Sequence, residues 1–530
     1  MLGRRQFLTG AAAAAALVAA GCSSSDADGV AAKPSTTKAA EHAAVTVPTT
    51  KAGGVDLPTN PFTLGVASGD PLSDRVILWT RLAPEPVADD GLGGMTAASV
   101  PVTWEVATDE RFTELVASGV ATAEAKHGHS VHVDAKGLEP GTDYHYRFTA
   151  GSHTSLVGRT RTLQTGSPDQ FTMAVVNCQM YETGYYGAYR HLADEDVDVV
   201  LHLGDYIYEL PGGNSDRSSK PNRFLTTLSD YRLRYASYKL DADLQASHLA
   251  HPWVLTWDDH EVANNYMGDV LPGDPDTSHG RARKAAAYQA WWEHQPVRLP
   301  APDGSDLAVY RAFAVGDLTR VHVLDERQDS DQPPCRPAGG TALDYGDCDA
   351  RLDEDRSRLG TDQEKWLTSS LAEGGVTWNL LGNPVVLAGV NAGKDTDAYY
   401  LDTWDGFPQA RERLIAQLAD VDNPVVLTGA YHAGMVLDVH AKPFEQSSKV
   451  VAPEFMSPPI SSLLFPDDIS ARTPQLREQL NEHGYLTVSV TPDELTVAFR
   501  VLADVRDPKT AISTPSTWKV VKGNPVATKA

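Results

Sequence analysis

Val197-Asp198-Val199-Val200-Leu201-His202-Leu203-Gly204-Asp205-Tyr206-Ile207-Tyr208 is the stretch that decides the fold. Its first seven residues form a buried-strand run, and Gly204-Asp205 end it at once. Upstream, Phe171-Thr172-Met173-Ala174-Val175-Val176 is a second apolar run of strand length, followed directly by Asn177-Cys178-Gln179. A helical stretch around residues 186–192 lies between the two. Strand, helix, strand predicts a βαβ unit and an α/β fold.

The pattern returns downstream. Val254-Leu255-Thr256-Trp257 leads into Asp258-Asp259-His260-Glu261, and Thr319-Arg320-Val321-His322-Val323-Leu324 into Asp325-Glu326-Arg327-Gln328. Asn379-Leu380-Leu381-Gly382 is a further strand, and Pro424-Val425-Val426-Leu427-Thr428 leads into Gly429-Ala430-Tyr431-His432. Open α/β sheets bind ligands just past the carboxyl ends of their strands. One polar strand end needs no explanation beyond polar loops. Repeated strand ends carrying Cys, Asp, His or Arg point to chemistry.

The residue types narrow that chemistry. A carboxylate at Asp205 can bridge two cations, and a phenol at Tyr208 lies one turn away. Hard oxygen donors suit Fe³⁺ or Ca²⁺, and Gly204 frees the backbone to turn. A plain Gly-Asp turn with two aromatic core residues remains the competing account. At the next junction Asp259 is a metal-ligand candidate, His260 an acid or phosphate contact, and Glu261 the group that orients its imidazole. A helix N-cap would also favour acids there. Cys178, as a thiolate, would sit beside Asp205 and be deprotonated by a metal. Arg327 can fork onto phosphate oxygens. His432 can complete the metal shell.

The chain has 530 residues, more than one core ordinarily serves, so two domains are expected. Residues 59–165 read as short strands between Gly and Pro turns, a small all-β, fibronectin-like sandwich. Residues 168–515 hold the βαβ pattern, with helices over 210–250 and 270–300 and late strands from Gly484. Trp291-Trp292 reads as core or domain packing. A net charge of −25 excludes a nucleic-acid-binding module, since phosphate backbones need clustered Lys and Arg. An acidic protein binds phosphate when bound cations reverse the local field.

Arg4-Arg5-Gln6-Phe7-Leu8 before an Ala-rich apolar run is the layout of an export signal over residues 1–22, of the twin-arginine kind. An uncleaved weak anchor is the alternative. Ala19-Ala20-Gly21-Cys22 is similar to a lipobox, so lipidation at Cys22 and plain secretion both stay open. Residues 23–58 read as a flexible tether. Outside the cytoplasm Cys335 and Cys348 are expected to form a disulfide, leaving Cys178 unpaired.

The junction motifs, together with Gly65-Val66-Ala67-Ser68-Gly69-Asp70-Pro71 and Leu78-Trp79-Thr80-Arg81-Leu82, resemble those of PhoD-type alkaline phosphatases from about Phe62 to Phe499. The resemblance implies a four-layered metallophosphoesterase β-sandwich flanked by helices, related to purple acid phosphatases and preceded by the small all-β domain. It implies one Fe³⁺ and Ca²⁺, and hydrolysis of phosphomonoesters, phosphodiesters or both by a metal-activated hydroxide. By position Cys178, Asp205, Tyr208 and His432 resemble iron-side ligands, Asp259 a second-metal ligand, and His260 and Arg327 phosphate contacts. It implies a phosphate-ester substrate, the twin-arginine export machinery as partner, and a monomer that is secreted or anchored at the cell surface. One departure stands out. The family pattern Gly-Asp-x-His reads Gly429-Ala430-Tyr431-His432 here. A non-catalytic or attenuated phospho-ligand or metal binder is therefore the alternative, and a phospholipase D-like diesterase another.

Overall fold

The structure is a computed structural model and describes residues 56–530, except 212–216, 275, 336–342, 345, 394 and 466. The expected export signal, Cys22 and nearly all of the tether lie outside the described residues.

Two sheets stack face to face. One has ten strands, with Phe171–Val176, Val199–Leu203 and Pro252–Thr256 adjacent and parallel at its centre. The other has seven, with Thr319–Val323, Trp378–Asn383 and Pro424–Thr428 parallel at its centre. The period of two along a strand explains the packing. In Val199–Leu203, residues Val199, Leu201 and Leu203 point into a shared inter-sheet core with Val321, Leu380 and Leu427. Val200 points the other way, into a core with the helices. Helices Gly187–Ala193, Leu228–Lys239, Ala242–Ala250 and Thr277–His294 contribute to that outer core. Helices Thr361–Ala372 and Pro408–Ala419 cover the second sheet through Leu367, Leu371, Leu414 and Leu418. Helix, sheet, sheet, helix is the expected four-layered arrangement.

The N-terminal strands do not stop at their own core. Strands Leu115–Glu124, Ser99–Ala107 and Asp143–Ala150 belong to a five-stranded sheet. This sheet shares a core with strands Arg75–Arg81 and Ser130–Lys136 through Val76, Leu78, Val102, Tyr144 and Tyr146. Yet Arg75–Arg81 and Ser130–Lys136 continue the ten-stranded sheet, because strand Val66–Gly69 pairs in parallel with Pro252–Thr256, Ser68 opposite Pro252. Gly69 is required there, since a Cβ would collide with the carbonyl oxygens of Trp253 and Pro296. Trp292 stacks on His132, with ring centroids 4.3 Å apart, and so packs the helices against the sandwich. At the C-terminus the sheet runs on through Ile512–Val521 to Thr528–Lys529, past residue 515.

Asp258–Glu261 do not begin a helix. They lie in turns after strand Pro252–Thr256, so the helix-cap account of these acids does not apply. The Cys335–Cys348 disulfide is formed, and Cys178 is buried and free.

Candidate metal centre and active site

The loops after strands Phe171–Val176, Val199–Leu203, Pro252–Thr256 and Pro424–Thr428 converge on one site. They turn sharply to do so. Cys178, Asp205, Asn265, Ala430 and His432 all have left-handed backbones, with φ between 54° and 62°. Each such residue costs on the order of 1–3 kcal/mol, so the set is comparable with the whole net stability of a domain. The surroundings hold it in place. Cys178 and Gln179 donate their N–H groups to the carbonyls of Gly204 and Asp205, at 3.1 and 3.0 Å. Gly204, at φ 106°, lies against the Asp258 backbone where a Cβ would not fit.

Cys178, Asp205 and His432 form one group of ligand atoms close enough to hold a metal ion; Asp205, Asp259 and His260 form another. Cys178 Sγ is 3.4 Å from Asp205 Oδ2. Tyr208 Oη lies 2.9 Å from Asp205 Oδ2 and 3.3 Å from His432 Nε2, so the phenol joins the first group. His432 Nδ1 is 2.7 Å from the Leu463 carbonyl. That carbonyl accepts the Nδ1 proton and leaves the Nε2 lone pair facing the cluster.

The electrostatics ask for a cation. Burial, then the neighbouring Asp205 charge, pushes the Cys178 thiol and the Tyr208 phenol well above their ordinary ranges. Burial and the Asp259 and Asp258 charges push Asp205 up against the pull of His260. Burial drops His432 to about 4, keeping it neutral. Thiol, carboxylate, phenol and neutral imidazole are a metal-binding donor set, and a polyvalent cation would hold the first three deprotonated. The residues fit a metal.

Beside them lie the phosphate-contact candidates. Burial opposes charge on His260, but Asp259, Glu209 and Asp205 outweigh it and hold the imidazole protonated. Its partner corrects one expectation. Glu209, not Glu261, orients the ring, with Oε2 2.7 Å from Nδ1, while Oε1 accepts the Asn264 N–H at 2.8 Å. Glu261 braces the loops instead, accepting the N–H groups of Asp205 (3.0 Å), Tyr206 (2.7 Å) and Asp258 (3.0 Å). Arg327 donates from Nε to Asp258 Oδ1 at 2.5 Å and places Nη2 3.6 Å from Asp259 Oδ1. Its buried Nη1 has no hydrogen-bond partner among the described residues.

Ser462 carried no spacing signal. Its Oγ lies 2.7 Å from Tyr208 Oη and 2.8 Å from the Cys178 carbonyl. His202, though central to the deciding stretch, faces inward towards Gln179 and Trp253. Ala430 has its backbone N–H against Cys178 and its side chain against an apolar core.

Comparison with known proteins places the chain in a family. The model of the PhoD-like phosphatase family matches residues 173–499, and that of the PhoD-like phosphatase N-terminal domain matches residues 49–164. Alkaline phosphatase D of Bacillus subtilis (strain 168) is 42% identical over 487 residues, covering 86% of this chain and 80% of that protein. A solved structure of PhoD superposes with a TM-score of 0.85 at 40% identity, covering 90% of this chain and 93% of that one. The chain belongs to the PhoD-like phosphatase family and is a phosphoric ester hydrolase.

Proposed function

We propose that this is an exported, metal-dependent phosphoesterase. In this reading Cys178, Asp205, Tyr208 and His432 would hold Fe³⁺, and Asp205 and Asp259 would hold Ca²⁺. The observation that carries it is the convergence of the Cys178–Asp205–Tyr208–His432 donor set with His260 and Arg327, on loops that follow strands of both sheets. When bound, the cations supply a nucleophile from water near neutral pH and charge against the phosphoryl oxygens. The chain's own residues do the rest. Glu209 holds His260 by Nδ1, leaving Nε2 to donate a proton to the phosphoryl or leaving oxygen. Arg327, fixed by Asp258, presents Nη1 to a phosphoryl oxygen. Export is supported by the Arg4-Arg5 signal pattern and by a disulfide suited to an oxidising compartment.

The non-catalytic reading is not favoured. Ala430 is one changed position in a chain that keeps the other donors and is 42% identical to an alkaline phosphatase.

The test measures iron and calcium per chain, with hydrolysis of a mono- and a diester, in the wild type and Ala430→Asp. Bound iron with turnover is expected in the wild type. No iron and no turnover in either protein would overturn the reading. His260→Ala is expected to lower kcat by roughly 10²–10⁴; unchanged turnover would remove His260 from the chemistry.

A further inference from the structure

The two metal groups are built unequally. The first has four side-chain donors within mutual reach, and two of them are braced from outside. Leu463 fixes the His432 ring and Ser462 contacts the Tyr208 hydroxyl, at 2.7 Å each. The second is poorer. It shares Asp205, whose Oδ2 already faces Cys178 and Tyr208. Its own carboxylate, Asp259, is engaged on both oxygens: Oδ2 accepts the Asn265 N–H at 2.5 Å, and Oδ1 lies 3.6 Å from the Arg327 guanidinium. His260 spends Nδ1 on Glu209.

Arg327 decides the balance. It is a buried fixed charge, 2% exposed, set beside the one carboxylate the second group does not share. An arginine stays charged at every working pH, so it repels any cation arriving there. The same arginine has Nη1 buried and without a partner among the described residues. A buried unpaired N–H is costly, and a phosphate oxygen would relieve it. A phosphate group between the second cation and Arg327 would turn repulsion into attraction on both sides.

We propose that the second cation is not a resident of the free enzyme. It enters together with the phosphate group, which screens it from Arg327 and completes its coordination. The first group keeps its metal throughout. This rests on the phosphoesterase reading and adds an order of assembly: substrate and second cation bind as a mutually dependent pair. Coupling of this kind is reciprocal, so each raises the affinity of the other by the same factor.

The experiment uses the full chain as purified, with its tightly held metal. Equilibrium dialysis against radiolabelled Ca²⁺ at micromolar concentration gives the calcium affinity with and without millimolar inorganic phosphate. Phosphate affinity is measured with and without Ca²⁺, and monoester hydrolysis is followed in parallel. The expected result is at least about a tenfold rise in calcium affinity with phosphate, matched by the same rise for phosphate with calcium. In Arg327→Gln, calcium is expected to bind about tenfold tighter without phosphate, with the coupling reduced.

Equal calcium affinity with and without phosphate would overturn the proposal. If the ester were still hydrolysed, the phosphoesterase reading would stand. Neither phosphate binding nor hydrolysis would remove both. Unchanged coupling in Arg327→Gln would overturn the role given to the arginine. Should that variant not fold, the wild-type ratio decides by itself.

Discussion

At the scale of single residues, the group proposed to contact phosphate and the group that holds it are separable. His260 faces the site, but its orientation comes from Glu209, buried and 2.7 Å from Nδ1. Glu209→Gln keeps the shape and the hydrogen bond to the Asn264 N–H but removes a charge. Second-sphere changes of this kind cost about 10–100-fold in activity. We expect that fall in kcat with metal content unchanged. The pH profile gives the sign. Glu209 is among the charges that raise the His260 pKa, so its loss lowers that pKa. The alkaline limb, where His260 gives up its proton, then moves to lower pH. A fall in kcat with an unmoved limb would make Glu209 merely structural. Cys178→Ser tests the other side. The side chain is buried and touches Asp205 at 3.4 Å, so the fold should survive. Iron per chain, measured by elemental analysis, is expected to fall to less than half. Full retention would show that Cys178 is not a ligand.

At the scale of elements, strand ends were legible and side-chain pairings were not. The apolar runs at 171–176, 199–203 and 424–428 are strands as read, because a strand buried on both faces leaves an unbroken apolar signature. The residues after the first two meet because these strands are parallel neighbours in one sheet, and the loop after 424–428 reaches them from the other sheet. Which acid serves which partner depends on left-handed turns at Asp205 and Asn265, and no periodicity records those. Hence Glu209 orients His260 in place of Glu261, which accepts backbone N–H groups instead. Ser462 comes from a loop after strand Val450–Met456, far along the chain from Tyr208. Helix Leu228–Lys239 hides a further consequence. Lys239 is buried beside His248 Nε2 (3.5 Å) and the Trp79 and Tyr206 rings, with no carboxylate partner among the described residues. Burial brings its pKa to about 7. The unfolded chain holds this proton up to about pH 10.4. Between those values the unfolded state binds more protons, so stability rises with pH. The lysine costs nothing above the unfolded value and roughly 5 kcal/mol below pH 7. Lys239→Met should therefore raise the melting temperature most near pH 6.5, with the gain fading towards pH 10. A gain constant across that range would mean that Lys239 does not titrate on unfolding.

At the scale of the molecule, the sandwich and the catalytic layers share one sheet, and this should make them unfold together. Strand Val66–Gly69 hydrogen-bonds into the catalytic sheet, and Asp70 follows it directly. The Asp70 carboxylate accepts from Arg311 Nη2 at 2.5 Å and from the Arg298 N–H at 2.7 Å, while Arg298 also reaches the Asp70 carbonyl at 2.7 Å. Asp70 is 7% exposed, so little water softens the ion pair. Its backbone is left-handed, at φ 42°, a conformation that asparagine tolerates about as well as aspartate. Asp70→Asn therefore removes the charge without straining the turn and leaves Arg311 facing a neutral amide. Breaking a buried pair in this way costs about 3 kcal/mol. If the two parts are one cooperative unit, that loss is felt across the seam. Hydrogen exchange should then show the same loss of protection in Ser130–Lys136, on the sandwich side, and in Val199–Leu203, under the metal centre. Lost protection confined to Ser130–Lys136 would mean that the shared sheet joins two units that open separately. An equal loss in both would mean that the N-terminal strands help to hold the strained loops after Leu203 in place.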